Sequence, residues 1–241
     1  MSVSIEVANV SKSFSKKQVL NGINLIIEEG TLYGFIGPSG AGKTTLIKMI
    51  VGMDQPDNGS IHVLKKKMPN LGILKEIGYM AQSDALYTSL SGKENLTFFA
   101  ALFGLKGEEM KQRLAYAAEL VNLTDDLNKK VSAYSGGMKR RLSLAIALIQ
   151  NPKILILDEP TVGIDPELKA GIWSELLRLK NDEKKTIIVT THVMDEADRC
   201  DFIAMIRNGR IITNGTPDEL KSGYQANSLD EVFLKAGRKD S

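Results

Sequence analysis

The run Gly37-Pro-Ser-Gly-Ala-Gly-Lys-Thr-Thr45 carries the plainest chemistry in the chain. Gly37, Gly42, Lys43 and Thr44 occupy the defining places of G-x-x-x-x-G-K-[ST], a loop that cradles phosphate. Its flanks suit that reading: Leu32 to Ile36 is an apolar strand-like run, and Lys43 to Val51 has helical character before Gly52 stops it. Glycines let the backbone wrap closely, so that N–H groups and the positive end of the helix point at phosphate oxygens. Lys43 would place a charge on the β and γ phosphates, and the Thr44 hydroxyl would ligate Mg²⁺. These features predict a nucleoside triphosphate site.

Further candidates lie downstream. Ile154 to Leu157 is continuously apolar, as in a strand buried on both faces, and it delivers Asp158 and Glu159 at its C-terminal end. Ligands of open α/β sheets collect at such ends. Asp158 suits Mg²⁺ coordination, and Glu159 suits the orientation of an attacking water. Gln82 ends another strand-like run, Glu76 to Ala81, and is a weak signal alone. Ser135-Gly136-Gly137 precedes a helical run, and reads equally as an anion site at a helix start or as a plain N-cap. His192 follows the apolar strand Thr186 to Thr191, where a hydrogen bond to phosphate and a structural role are both open.

The elements that must position these residues follow from periodicity. Ser2 to Val10 and Val19 to Glu28 read as antiparallel strands joined through Ser11 to Gln18, with Phe14 in the connection as a local packing residue. A short strand spans Ser60 to Leu64, and Lys65-Lys66-Lys67 reads as a solvated hairpin end. His62, within that strand, has no metal-spaced partner. From Glu94 to about Asn122 the spacing turns helical, with Leu96, Phe98, Phe99, Leu102 and Phe103 in one set and Met110, Leu114, Ala117, Ala118 and Val121 in another. Pro166 opens a helix carrying Trp173, Asn208-Gly209 turns a hairpin, Thr216-Pro217 opens another helix, and Ser228 to Gly237 is an amphipathic tail.

Composition sets the outer limits. The 241 residues are 43% hydrophobic and 25% charged, with a net charge of +2, which suits an ordinary globular core and gives no basic argument for nucleic acid. One cysteine, Cys200, precludes an internal disulfide and reads as a small buried residue in a reducing compartment. No apolar run reaches the ~20 residues that span a bilayer, and no signal-peptide pattern is present. The expectation is a cytoplasmic chain unless something else holds it at a membrane.

In this order, the segments resemble the ATP-binding subunit of an ATP-binding-cassette (ABC) transporter. Gly37, Pro38, Ser39, Gly40, Ala41, Gly42, Lys43, Thr44 and Thr45 match the Walker A loop. Gln82 matches the Q-loop glutamine, Ser135-Gly136-Gly137 the signature, Asp158 the Walker B aspartate and Glu159 the catalytic glutamate. Asp165 matches the D-loop aspartate, His192 the switch histidine, and Phe14 is the candidate for the aromatic residue that stacks on adenine. The resemblance implies an α/β, P-loop NTPase (RecA-like) core with an antiparallel β subdomain and an inserted helical subdomain. It implies one cassette over residues 1–225, with its core in 1–82 and 151–225, an insertion over about 83–150, and a tail over 226–241.

It also implies ATP and Mg²⁺ as cofactors, with Glu159, His192, Lys43 and Gln82 catalytic and Thr44, Gln82 and Asp158 at the metal. Two copies would sandwich two ATP, each between one copy's P-loop and the other's Ser135-Gly136-Gly137. The pair would drive a separate transmembrane permease from the cytoplasmic face of the membrane. Met138-Lys139-Arg140-Arg141 after the signature and Val162-Gly163-Ile164 before Asp165 resemble the branch that exports drugs, antibiotics or lipids. A non-transport ABC ATPase on ribosomes or DNA is the alternative. Paired cassettes or long coiled-coil insertions, typical of those proteins, are absent here. An ordinary P-loop kinase or GTPase would leave Ser135 to Gly137 and His192 unexplained.

Overall fold

The computed structural model describes residues 2–15, 17–82 and 85–239. They form two compact units, one from Met1–Ile73 with Thr186–Ser241 and one from Leu74–Lys185. The first unit begins with β1 (Val3–Phe14), β2 (Lys17–Glu28), β3 (Leu32–Ile36), α1 (Lys43–Ile50), β4 (Asn58–Val63) and β5 (Lys66–Lys67). The second contains β6 (Ile77–Met80), α2 (Gly92–Leu102), α3 (Gly107–Leu120), α4 (Gly136–Leu148), β7 (Ile154–Asp158) and α5 (Pro166–Asn181). The chain returns to the first for β8 (Thr186–Thr191), α6 (Met194–Ala197), β9 (Phe202–Arg207), β10 (Arg210–Gly215), α7 (Pro217–Gly223) and α8 (Leu229–Lys239).

The first unit holds an antiparallel sheet in the order β2-β1-β4-β5 and a strand run β10-β9-β3-β8, in which β3 is parallel to both neighbours. Ile5, Val7 and Val10 of β1 are buried with Leu20, Ile23, Leu25 and Ile27 of β2. These two strands run much further than the expected connection over residues 11–18 allows. The reason is in the register: irregularities between Val7 and Val10, and again between Val10 and Lys12, break the two-residue alternation that marks a strand in sequence. The three lysines do end a hairpin, with Leu64 and Lys65 both at positive φ and all three lysines exposed. Asn208 and Gly209, also at positive φ, turn β9 into β10 as their types predict.

In the second unit β6 and β7 pair in parallel. Serine 91 caps α2 through a reciprocal box with Glu94, a start signal that periodicity alone places a few residues late. The aromatic set on α2 is less buried than its spacing suggests: Phe98 is 43% and Leu102 67% exposed, whereas Asn95 and Leu96 are fully buried. Asn95 decides the rotation of the helix, since its amide bonds the backbone of Tyr87 and Ser91. Phe98 instead packs edge-on to Tyr87 and Phe99. Arg113 of α3 donates to the carbonyls of Leu148 and Ile149, the last turn of α4, where helix carbonyls lack partners of their own.

Trp173 of α5 is fully buried with Ile172, Leu176 and Leu179. Trp173→Ala is expected to cost about 3–5 kcal/mol of unfolding free energy, read as a lowered urea midpoint. A loss below about 1 kcal/mol would contradict a core role.

Candidate active site

Each unit brings part of the predicted chemistry to the C-terminal ends of its parallel strands. In the first unit β3 lies between β8 and β9, with Ile36 opposite Thr191 and Met205. The loop after Ile36 therefore leaves the sheet beside His192. A Cβ on Gly37 would stand 2.1 Å from the carbonyl oxygen of Ile206, so only glycine fits. Gly42, at φ 107, turns the chain into α1, whose start carries no side-chain cap. Its leading N–H groups are thus of the kind that an anion satisfies.

Lys43 is the first residue of α1 and only 7% exposed. Its Nζ donates to the carbonyls of Gly37 at 2.6 Å and Pro38 at 3.1 Å. The loop's own backbone thus holds the ammonium within the loop. Thr44 and Thr45 follow, half-buried. His192 is exposed, on a turn fixed by a residue that sequence reasoning passed over. The Thr191 hydroxyl accepts from the Val193 N–H at 3.0 Å and donates to the Glu196 carboxylate at 2.6 Å. Glu196 is 4% exposed, and a carboxylate four residues after a candidate histidine was the available signal.

Phe14 ends β1, 49% exposed, with the Lys12 ammonium 5.3 Å from its ring centroid. Lys12 pairs with Leu20 across the hairpin, and the Leu20 side chain lies where a Cβ on Gly42 would stand. Two residues of strand, about 7 Å, therefore carry Phe14 out from the strand pair that backs the loop.

In the second unit Met80 pairs with Leu157, so Ala81-Gln82 and Asp158-Glu159 leave β6 and β7 side by side. Gln82 Nε2 lies 3.5 Å from a Glu159 carboxylate oxygen. Asp158 is 1% exposed, whereas Glu159 is half-buried. Glu159 takes φ 54, a left-handed conformation that a non-glycine residue adopts at a cost of roughly 1–3 kcal/mol. Nearby, burial first and the Asp158 charge second raise the Tyr79 phenol to about 12, so it stays protonated beside the carboxylates at neutral pH.

Ser135 caps α4, its hydroxyl accepting from the Met138 N–H at 3.2 Å. The N-cap reading and the anion reading are compatible, because an accepting hydroxyl still carries its own proton to donate. Asp165 likewise caps α5 by accepting from the Leu168 N–H at 2.9 Å. As a carboxylate it offers no hydrogen to a phosphate. Ser135, Gly137, Gly163 and Asp165 line one open hollow of about 210 Å³.

In the second unit the Asp158 carboxylate and the Gln82 amide are oxygen donors of the kind that suit a hard divalent cation, and the first unit offers the Thr44 hydroxyl. Among the described residues no cluster of three or more His, Cys, Asp or Glu could hold a metal. A cation here would draw its remaining ligands from phosphate and water, as Mg²⁺ does.

A family model described as ABC transporter matches residues 20–162. The chain belongs to the ABC transporter family. Among its relatives, the Nod factor export ATP-binding protein I of Rhizobium sp. (strain N33) is 40% identical over 96% of this chain and 77% of its own length. ABC transporter G family member 23 of Dictyostelium discoideum is 39% identical over 98% of this chain. The cassette spans only about a third of that relative's length, 34%. A solved ATP-binding subunit of an ABC transporter superposes with a TM-score of 0.90 at 27% identity, covering 97% of this chain and 99% of that one. The ATP-binding cassette MJ0796, solved as a dimer in a post-hydrolysis state with ADP and Pi, gives a TM-score of 0.83 at 27% identity over 88% of this chain and 98% of its own. These neighbours share the α/β cassette fold.

The loop geometry separates two glycines. Gly37→Ala drives a methyl group into a carbonyl oxygen, whereas a Cβ on Gly40 meets nothing within 4 Å and costs only the strain of an alanine at φ 77. Gly37→Ala is expected to weaken binding of a fluorescent ATP analogue by roughly a hundredfold or more, about 2.8 kcal/mol, and Gly40→Ala by about tenfold, the scale of its backbone strain. Equal losses in the titration would contradict this account of the loop.

Proposed function

We propose that this cassette binds ATP with Mg²⁺, hydrolyses it, and so powers export through a separate transmembrane permease. The observation that carries the reading is the delivery of Asp158 and Glu159 by a fully buried strand, with the Gln82 amide 3.5 Å from the Glu159 carboxylate. Bound Mg²⁺ neutralises charge on the phosphates and fixes their geometry. The Thr44 hydroxyl and the Asp158 carboxylate would supply protein oxygens to it, and the Gln82 amide is a further candidate ligand. Lys43 and the loop N–H groups from Gly37 to Thr45 hold the phosphates, and Phe14 offers a ring for the adenine. Glu159 orients and polarises the attacking water. His192 donates to a γ-phosphate oxygen.

A second copy completes the cage. Ser135, Gly136 and Gly137 of one copy meet the ATP held by the other, and Asp165 positions the segment beside that signature. ATP thereby holds a pair that hydrolysis releases, a nucleotide-controlled two-state switch. The dimeric state of the MJ0796 cassette and the export named for the Nod factor relative support this reading. So does the resemblance of Met138 to Arg141 to the exporter branch. The cassette would act at the cytoplasmic face of the membrane; among the described residues no helix is long and apolar enough to cross one.

Gentle affinity purification from native membranes, with mass spectrometry of what copurifies, tests the transport half. A stoichiometric polytopic membrane protein is expected; ribosomal or DNA-associated partners alone would replace transport with another use of the ATPase. Glu159→Gln tests the enzymatic half. Turnover should fall by 10² or more while ATP binding persists and a long-lived dimer forms in ATP and Mg²⁺. A monomer under saturating nucleotide, seen by light scattering, would sink the sandwich.

A further inference from the structure

Arg140 lies one turn inside α4 and is 7% exposed, a buried charge that the roles above leave unused. Its guanidinium reaches away from its own helix. Nη1 donates to the carbonyls of Ala81 at 2.7 Å and Gln82 at 3.1 Å. Nη2 donates to the carbonyls of Asp158 and, at 2.8 Å, Glu159. The two terminal nitrogens carry four N–H groups in one plane, and four main-chain carbonyls meet them. Those carbonyls belong to the residues that leave β6 and β7 side by side. One of them is on Glu159, whose left-handed backbone needs holding from outside.

We propose that Arg140 is a positioning residue for ATP hydrolysis. Its planar fork ties the main chain of Gln82 and Glu159 to the helix that Ser135 begins. Movement of the Ser135-Gly136-Gly137 end of α4 and placement of the Glu159 carboxylate then become one mechanical event. Helix α4 is stiff over the turn between Ser135 and Arg140, and a buried fork of four hydrogen bonds transmits displacement better than packing alone. The inference rests on the ATPase reading of the previous subsection. Lysine could not replace arginine here, because its three donors radiate from one nitrogen and cannot span two strand ends.

The test compares Arg140→Lys and Arg140→Gln in the full chain. Each should bind a fluorescent ATP analogue within about threefold of the parent, with KM for ATP similarly unchanged, while kcat falls tenfold or more. Hydrogen exchange should rise in peptides covering residues 77–82 and 154–163 and stay unchanged in α3. Lysine should not rescue. A kcat within threefold of the parent in either variant overturns the proposal. So does a loss of nucleotide binding that parallels the loss of turnover with exchange raised throughout, since that is a folding role. Should Arg140→Gln prove insoluble, Arg140→Lys decides; insolubility of both assigns Arg140 to folding alone and overturns the proposal. If the parent chain hydrolyses no ATP, the functional reading fails by itself. The local exchange pattern then still decides whether the fork holds the two strand ends.

Discussion

Strands buried on both faces impose the constraint on which the rest of this cassette depends. Every residue of β3, β7 and β8 is buried, so none can present an unpaired charge before the strand ends. Polar chemistry is thereby pushed to the last residue of a strand, as with Asp158 of β7, and to the residues immediately after it. Parallel pairing puts those residues at the same edge, which antiparallel pairing would not do. The register Ile36 opposite Thr191 sets Gly37 beside His192, and Met80 opposite Leu157 sets Gln82 beside Glu159. The candidate site is therefore a consequence of the core, and a core substitution that shifted one register by a residue would separate these partners.

What could be read from sequence divides along the same line. Buried parallel strands appear as uninterrupted apolar runs, and the residues that end them stand out because they break the run. Asp158, Glu159 and His192 were legible for that reason, and Lys43 by the spacing of its glycine-rich motif. Turn chemistry was legible too, as at Asn208-Gly209, because positive φ selects few residue types. The far end of the β1–β2 hairpin, residues 11–14 and 17–18, was not, because its bulges scramble the alternation that a period-two reading requires. The burial of Asn95 was hidden for a different reason. A polar residue inside α2 has no signature until its partners, the backbone of Tyr87 and Ser91, are known. Arg140 shares that fate: it acts on backbone carbonyls distant in sequence, and sequence carries no record of which carbonyl a side chain will find.

Two helix starts use their polar groups in opposite ways, and the difference bears on how ATP is held. At α1 the lysine is already ordered, held by carbonyls of its own loop. Fixing a lysine side chain costs up to about 2 kcal/mol of rotamer entropy, and here folding has met that cost before any nucleotide arrives. Affinity can then reside in the P-loop of a single copy. At α4 the cap is an exposed serine whose hydroxyl already accepts from the helix. It can add a donated hydrogen to a phosphate but no net charge. A contact of that kind is worth roughly 1.5–3 kcal/mol when its partner is charged, a single donor against the several N–H groups and the ammonium that the P-loop offers.

An arrangement with one strong half and one weak half gives the order of events that a switch needs. In the proposed sandwich the P-loop would capture ATP first, in each copy separately. There the weaker signature contact would form only when ATP is already presented by another copy, and would be lost when the γ-phosphate leaves. A charged residue in place of Ser135 would strengthen the contact but also hold the product, since ADP and phosphate remain anionic. On the proposed reading, modest binding at α4 is therefore a physical requirement for release, one that the neutral Ser135-Gly136-Gly137 run would meet.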